Sequence, residues 1–524
     1  MRVMNMQKAI TKRKLLLAGM LMAALWFVPA ASAAVPGITG PTFNLSARAE
    51  YITQPDGSSV YSWGYGCSVA PSGFAPSAIS GTFCSNMQVP GPTLIVTQGQ
   101  TVVVNLTNNL PSAAGNTSIL FPGFNVASSG AGSQRGLLTQ EAAPGGTVTY
   151  TFTATTPGTR AYYRGTQGDL QVEMGMYGAI IVVPSSIPGE CTSSIHSSNL
   201  SAQSSHGESN YRLAAAAYNH PGTCYDREYI FQFSEMDPRI HHEAEQQALR
   251  GCTACMTVAT EPYVPAYFMI NGRSMPDDMD PNYAPQYPHQ PYNGNPHMHP
   301  GELVLLRIIG QGRWQHPFHE HGNHVRVLAR DGNLILSSQN PTDPNLAGPL
   351  LFTTTTTPGQ TIDGIFYWTG KGLNWDPYGH NEASGSTLTC SPDANGYNTG
   401  GNAYQAINYF EWCQDHNKPL QATPIGDVAG GGPATLPDPT IFANGAWFGG
   451  SPYLGPDATI RAVGTTGTTP PSGTVANSPT DEAGFAFMWH SHNEREITTN
   501  NIFPGGMLMM MLVDSREFVI NESN

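Results

Sequence analysis

Four histidines in two short stretches carry most of the chemistry that can be read in this chain. His319 and His321 lie in His316-Pro317-Phe318-His319-Glu320-His321-Gly322, and His490 and His492 lie far downstream in Trp489-His490-Ser491-His492. Side chains two apart on a strand face the same way, so each pair places two imidazoles on one face. If the two strands are neighbours, four rings converge. Four imidazoles with neither thiolate nor a carboxylate cluster make a borderline-metal site, suited to copper or zinc before calcium or magnesium. His316 has the opposite parity and points elsewhere, but it stands in the same run and is carried as a fifth candidate. A single His-x-His is usually a surface pair or a satisfied core pair. Here each pair sits in an apolar, strand-like run with glycine-bearing turn signals after it, which strengthens the metal reading.

The elements that must position these rings are strands. The chain has 524 residues with 57 Gly, 43 Pro and 11% charged residues, poor material for long helices and good material for many short strands joined by turns. Residues 302–309 read as a buried strand that delivers the chain to His316. Val325, Val327 and Ala329 alternate with His324, Arg326 and Leu328 in a strand turned at Asp331-Gly332. Phe485 to His492 enters the core again, and Gly505 to Val513 closes a sheet. Met507 and Met509 to Met511 lie on that last strand, where core packing is the expected role. In the first half, Val102, Val104 and Leu106 alternate with polar neighbours, and 147–153 alternates again.

Residues 1–33 have a basic start at Arg2, Lys8, Lys12, Arg13 and Lys14, an apolar run from Leu15 to Val28 and Ala31-Ser32-Ala33, the pattern of a cleaved signal peptide. The apolar run is short for a bilayer span, and no later segment is long enough. Setting aside five basic and no acidic residues takes the formal net charge from −14 to −19. So acidic a surface argues against nucleic acid and anionic membrane as partners. Eight cysteines in an exported chain favour disulfides, and proximity suggests Cys67 with Cys84, Cys191 with Cys224, Cys252 with Cys255 and Cys390 with Cys413. Cys252-Thr253-Ala254-Cys255 has a redox or metal pair as its alternative. The expected location is exported, periplasmic or extracellular.

Two stretches go further. HPFHEHGNHVRVLARDG and MWHSHNEREITTNNIFPGGM resemble the two copper-binding motifs in the last cupredoxin domain of multicopper oxidases, approximately His-Pro-x-His-x-His-Gly and His-Cys-His-x-x-x-His followed by a methionine. In the first half, Pro90-Gly-Pro-Thr-Leu-Ile-Val-Thr-Gln-Gly, Ala143-Pro-Gly-Gly-Thr and Gly175-Met-Tyr-Gly-Ala-Ile-Ile-Val resemble the family's first domain, in the same order. The resemblance implies an all-β chain of two cupredoxin-like Greek-key β-sandwich or barrel domains with long loop insertions: residues 34–185, a linker at 186–225, and 226–524 with an insertion at about 371–481. A three-domain chain with a diverged middle is the alternative. Relatives with the two-domain arrangement commonly assemble as trimers with metal held between subunits, so a homotrimer is implied.

The resemblance assigns copper as the cofactor, His319 to a type 2 position, His321, His490 and His492 to type 3 positions, and His316 to the blue type 1 site. It also shows departures. The type 1 cysteine position is Ser491, the second type 1 imidazole falls on Glu496, and Met507 stands near the axial position. In the first domain Ser118-Ile119 runs into Leu120-Phe121-Pro122-Gly123, and Gly158-Thr159-Arg160-Ala161-Tyr162 into Tyr163-Arg164-Gly165, where the family has His-x-His pairs. Half of the usual eight histidines remain, enough for one type 2-like copper. Glu320, Glu494 and Glu496 are candidates to orient the rings, although parity places Glu320 outside the coordination sphere, in a solvated or ion-paired role. His297 and His299, in a Pro-rich loop, read as a surface pair or an accessory copper-collecting pair. Two functions follow: an oxidoreductase with a reduced copper site, taking electrons from a small reducing substrate or other donor with dioxygen as acceptor, or a non-catalytic copper-binding or assembly module.

Overall fold

The computed structural model describes residues 34–79, 83–130, 133–340, 345–371, 390–400, 403–413, 450–453, 484–514, 516 and 518–522. The signal-like segment and most of the 371–481 insertion lie outside the described residues. The chain is built almost wholly of strands, in two pairs of sheets with cupredoxin-like organisation. In the first half β1 (Thr42–Thr53), β2 (Ser59–Cys67), β4 (Thr101–Asn108) and β5 (Thr147–Thr153) form one sheet, and β3 (Leu94–Thr97), β6 (Gly158–Tyr163) and β7 (Tyr177–Val183) belong to the other. Alternation does the sorting. On β4, Val102, Val104 and Leu106 are fully buried, and β5 sets Phe152, Tyr150 and Val148 directly opposite them.

The second half repeats the plan. One sheet runs in the order β9 (Tyr267–Ile270), β8 (Arg227–Met236), β10 (Leu303–Gly310), β14 (Thr361–Tyr367), β12 (Val325–Arg330). The other places β11 (His316–Glu320) between β13 (Thr353–Thr356) and β15 (Gly484–Ser491), with β16 (Leu508–Asp514) beyond β15. Between them Trp489 meets Phe366, Phe318 and Phe231 with ring centroids 5.0, 6.0 and 6.3 Å away. Met507, Met509 and Met511 fill the same core, all fully buried.

A buried polar seam ties the halves together. The Thr159 N–H and hydroxyl donate to the Asp363 carboxylate at 3.1 and 2.6 Å, and Arg307, paired with Glu228 at 2.7 Å, donates to the Thr159 hydroxyl at 3.0 Å. All four proximity pairings of cysteines form disulfides, Cys252 with Cys255 included. Such bonds belong to an oxidising environment. No helix among the described residues is long and apolar enough to cross a membrane.

Two expectations change. The stretch read as a linker is folded: α1 (Ser194–Ser205) packs with Asn199 buried, its amide donating to Asp226 at 2.9 Å. The Pro-rich loop does not leave His297 and His299 at the surface. Both are buried, His297 Nδ1 lies 2.6 Å from Asp514 and His299 Nε2 lies 2.6 Å from Glu208. Their carboxylates come from residues about 90 to 220 positions away, a partnership no local pattern announces.

Candidate metal centre

β11 and β15 are antiparallel neighbours, with His319 directly opposite His490, Phe318 opposite Ser491 and Glu320 opposite Trp489. Residues opposite one another on antiparallel strands face the same side, so this register puts His319 and His490 on the face away from Phe318. His321 and His492 lie one residue past the strand ends. The backbone holds them: the His492 N–H donates to Pro317 O at 2.8 Å, and the Trp489 indole N–H to His321 O at 2.8 Å. Gly322 then turns the chain with φ +101°, where a Cβ would lie 2.8 Å from the Phe487 ring.

Ring centroids stand 4.7 Å apart for His319 and His492, 4.9 Å for His319 and His321, 5.2 Å for His321 and His490, and 5.6 Å for His319 and His490. His321 Nε2 lies 3.3 Å from His490 Nε2. Two nitrogens held about 2 Å from one ion at a tetrahedral angle are about 3.3 Å apart, so this pair already has the spacing of two ligands on a shared metal. Among the described residues no three His, Cys, Asp or Glu side chains have their ligating atoms set around one ion position.

Tautomers follow from the remaining contacts. His490 Nδ1 lies 2.7 Å from Ser491 O, and a carbonyl only accepts, so the proton sits on Nδ1 and Nε2 keeps its lone pair. His319 Nδ1 lies 2.7 Å from the Thr353 hydroxyl. Burial, then the three neighbouring imidazoles, push His319 down to about 4, and burial lowers His490 as well. Neutral imidazole is the ligating form, so these two rings suit a metal at neutral pH. His319 and His490 are 7% and 8% exposed while His492 is open to solvent, which leaves one side of the cluster accessible.

His316 departs from the group, and the expectation that it joins the metal ligands is corrected here. Its Nδ1 meets Glu496 at 2.9 Å and its Nε2 meets Glu235 at 2.9 Å, all three residues being buried. Burial alone would lower its pKa; hydrogen bonds and charge from Glu235 and Glu496 outweigh that and lift it to about 9. Both ring nitrogens of this imidazolium are therefore committed as donors. The Ser491 hydroxyl donates to the same oxygen of Glu496, and Met507 bonds Ser491 and Glu496 through its backbone at 2.9 and 2.8 Å. The residues aligned with the blue copper position thus do come together, as a proton-holding clamp.

The carboxylates fall elsewhere than expected. Glu320 is fully buried and, among the described residues, has no ion-pair partner; the Thr354 hydroxyl donates to it, and burial raises its pKa well above the usual range. Glu496 serves His316 and Ser491, not the four rings, and Glu494 is exposed. Sequence reading missed Thr353 and Glu235. Thr353 is opposite His319 on β13, so only the strand pairing reveals it. Glu235, whose carboxylate also accepts from the backbone of Arg313 and Trp314 at 2.6 and 2.9 Å, is 81 residues from His316 and has no local signal.

Residues 75–186 and residues 259–363 each match a family described as multicopper oxidase. The two matched stretches, together under half of the chain, are similar to multicopper oxidases. An L-ascorbate oxidase from Brassica rapa subsp. pekinensis is 39% identical to this chain over 98 residues, 18% of this chain; the match spans 16% of that relative's length. Among solved structures, a blue copper oxidase from Nitrosomonas europaea aligns over 90% of this chain and 85% of its own at 16% identity and a TM-score of 0.44. A copper nitrite reductase from Nitrosomonas europaea aligns over 62% and 84% at 20% identity and a TM-score of 0.36.

Proposed function

We propose that this chain is a member of the multicopper oxidase family, an exported, copper-dependent oxidoreductase that works with a reduced site, one type 2-like copper held by His319, His321, His490 and His492, and that it lacks a blue type 1 centre. The observation that carries this is the 3.3 Å approach of His321 Nε2 to His490 Nε2 across paired strands. The donor set fits: imidazole is a preferred ligand of copper, and second bonds to Ser491 O and Thr353 hold two of the rings in place. Copper, when bound, supplies a one-electron couple. The chain contributes ring orientation through those second bonds, neutral imidazoles through burial, and an open flank at His492 through which a small reducing substrate reaches the site directly. Dioxygen is the proposed acceptor, and the periplasm or extracellular space the proposed location.

A second reading, copper binding without turnover, is favoured by the His316 clamp, because no thiolate-copper site stands ready to collect electrons for the four rings. Metal analysis and electron paramagnetic resonance on copper-reconstituted protein test both. The expected result is a type 2 signal without intense blue colour and with oxidation of ascorbate or a catechol under air. Copper that binds without any such oxidation selects the second reading. An intense blue, thiolate-type absorption would overturn the role given to Ser491.

A further inference from the structure

Pro122 and Tyr163 stand where the family resemblance leads one to look for first-domain ligands. Leu120 and Tyr163 pair across an antiparallel bridge, and Pro122 and Tyr163 line a cavity of about 380 Å³ whose other wall comes from Asp331 and residues 358–361 of the second half. None of the four histidines lines it. Its walls are fixed, because the Thr361 hydroxyl donates to Thr159 O at 2.7 Å and Thr159 in turn bonds Asp363. The volume falls in the range of small-molecule sites.

One wall is a guanidinium. Arg160 is 4% exposed, its plane set over the Phe124 ring at 4.9 Å. Its Nη atoms donate only to Thr156, and its buried Nε–H, beside Gly123 in the cavity wall, has no hydrogen-bond partner. Among the described residues no carboxylate forms an ion pair with it. The contrast with Arg307 and Arg227 is plain, since both are buried and paired with carboxylates at hydrogen-bond distance. Its direct partners are neutral, with the charges of Asp363 and Asp331 acting on it from beyond ion-pair distance, so the buried Nε–H is left for an anion in the adjoining cavity.

We infer that the cavity between Arg160, Tyr163 and Gln360 is a binding site for a small organic monocarboxylate, separate from the metal centre. The guanidinium edge recognises the carboxylate. Pro122, Ala161 and Pro358 give the organic part an apolar bed, with the Tyr163 ring beside it. Asp331 also lines the space, with one carboxylate oxygen held by the Thr361 N–H at 2.9 Å, and its charge disfavours a dianion such as phosphate.

Calorimetric titration of the full chain with benzoate, benzyl alcohol and inorganic phosphate tests this. Benzoate is expected to bind at least about ten-fold more tightly than either control, the effect of one charge-assisted hydrogen bond. Arg160→Gln should remove that preference, and Gln360→Trp, which fills the rim, should block binding while leaving Arg160 in place. Wild-type protein that does not bind benzoate, or that binds phosphate or benzyl alcohol equally well, overturns the inference. So does benzoate affinity that survives Arg160→Gln; if that variant does not fold, unchanged affinity in Gln360→Trp overturns it instead. Because the readout is heat of binding in metal-free protein, the result is independent of the copper proposal.

Discussion

Replacing His319 and His490 together with alanine is expected to reduce copper retained after dialysis to background, from stoichiometric in the parent. These two are the cross-strand pair at the middle of the cluster, and His321 and His492 lie on opposite diagonals from them. Without the central pair, each outer ring loses the imidazoles it stands against. Partners that only orient a ligating imidazole are worth about 10- to 100-fold in metal affinity, so removing two imidazoles from four exceeds that range. Thr353→Val, which removes only the hydroxyl beside His319 Nδ1, supplies the intermediate point, with an expected loss of about 10- to 100-fold. The fold should survive the double replacement, because both rings face away from the core packed by Phe318 and Trp489. Copper content by elemental analysis, alongside an unchanged circular dichroism spectrum, reads the outcome. Retained copper in the double variant would dispose of the proposed site.

Strand period and turn chemistry were enough to show the scaffold, because they are local properties. Alternation along 101–108 and 147–153 predicts the buried faces of β4 and β5, and the same parity rule separates His319 from His316. Proximity also paired the cysteines correctly, since each partner lies within 33 residues of the other. What the pattern does not carry is the identity of partners brought in by folding. Glu235 reaches His316 from the opposite sheet, Asp514 reaches His297 from the last strand, and Glu208 reaches His299 from beyond the end of α1. Each histidine reads as a ligand or a surface group until its carboxylate is known. Glu320 shows the reverse case: a charged residue type next to two candidate ligands suggests the surface, yet it is sealed beneath Thr354, where burial raises its pKa.

The His316 clamp accounts for why the chain tolerates Ser491 and Glu496 where the family resemblance leads one to expect a thiolate and an imidazole. A pocket shaped for a cation keeps one: the imidazolium stands between two buried carboxylates, and Ser491 donates the further hydrogen bond that Glu496 needs. The arrangement replaces metal charge with proton charge, and its stability contribution depends on pH accordingly.

Raising the pH from 6 to above 9 is therefore expected to cost the protein about 3 kcal/mol through this one residue. The ordinary histidine value is about 6.5 and the folded value is about 9, a difference of about 2.5 pKa units at about 1.4 kcal/mol each. The sign follows from linkage: a folded pKa above the unfolded one stabilises fully below about pH 6.5, and the stabilisation is lost as pH rises through 9. Urea unfolding of the parent at pH 6, 7.5 and 9.5 should show the decline, with the slope concentrated above pH 6.5. Glu496→Gln, which keeps hydrogen-bonding capacity but removes one of the two charges raising His316, should flatten the curve. His316→Ala should be more severe at pH 7, about 3 to 5 kcal/mol, because Glu235 and Glu496 are then buried without the cation between them. Its deficit should shrink toward low pH, where protonation neutralises the two carboxylates. A parent stability that does not fall between pH 6.5 and 9.5, or a Glu496→Gln curve parallel to the parent's, would mean that His316 is neutral in the folded protein and that the clamp holds no proton.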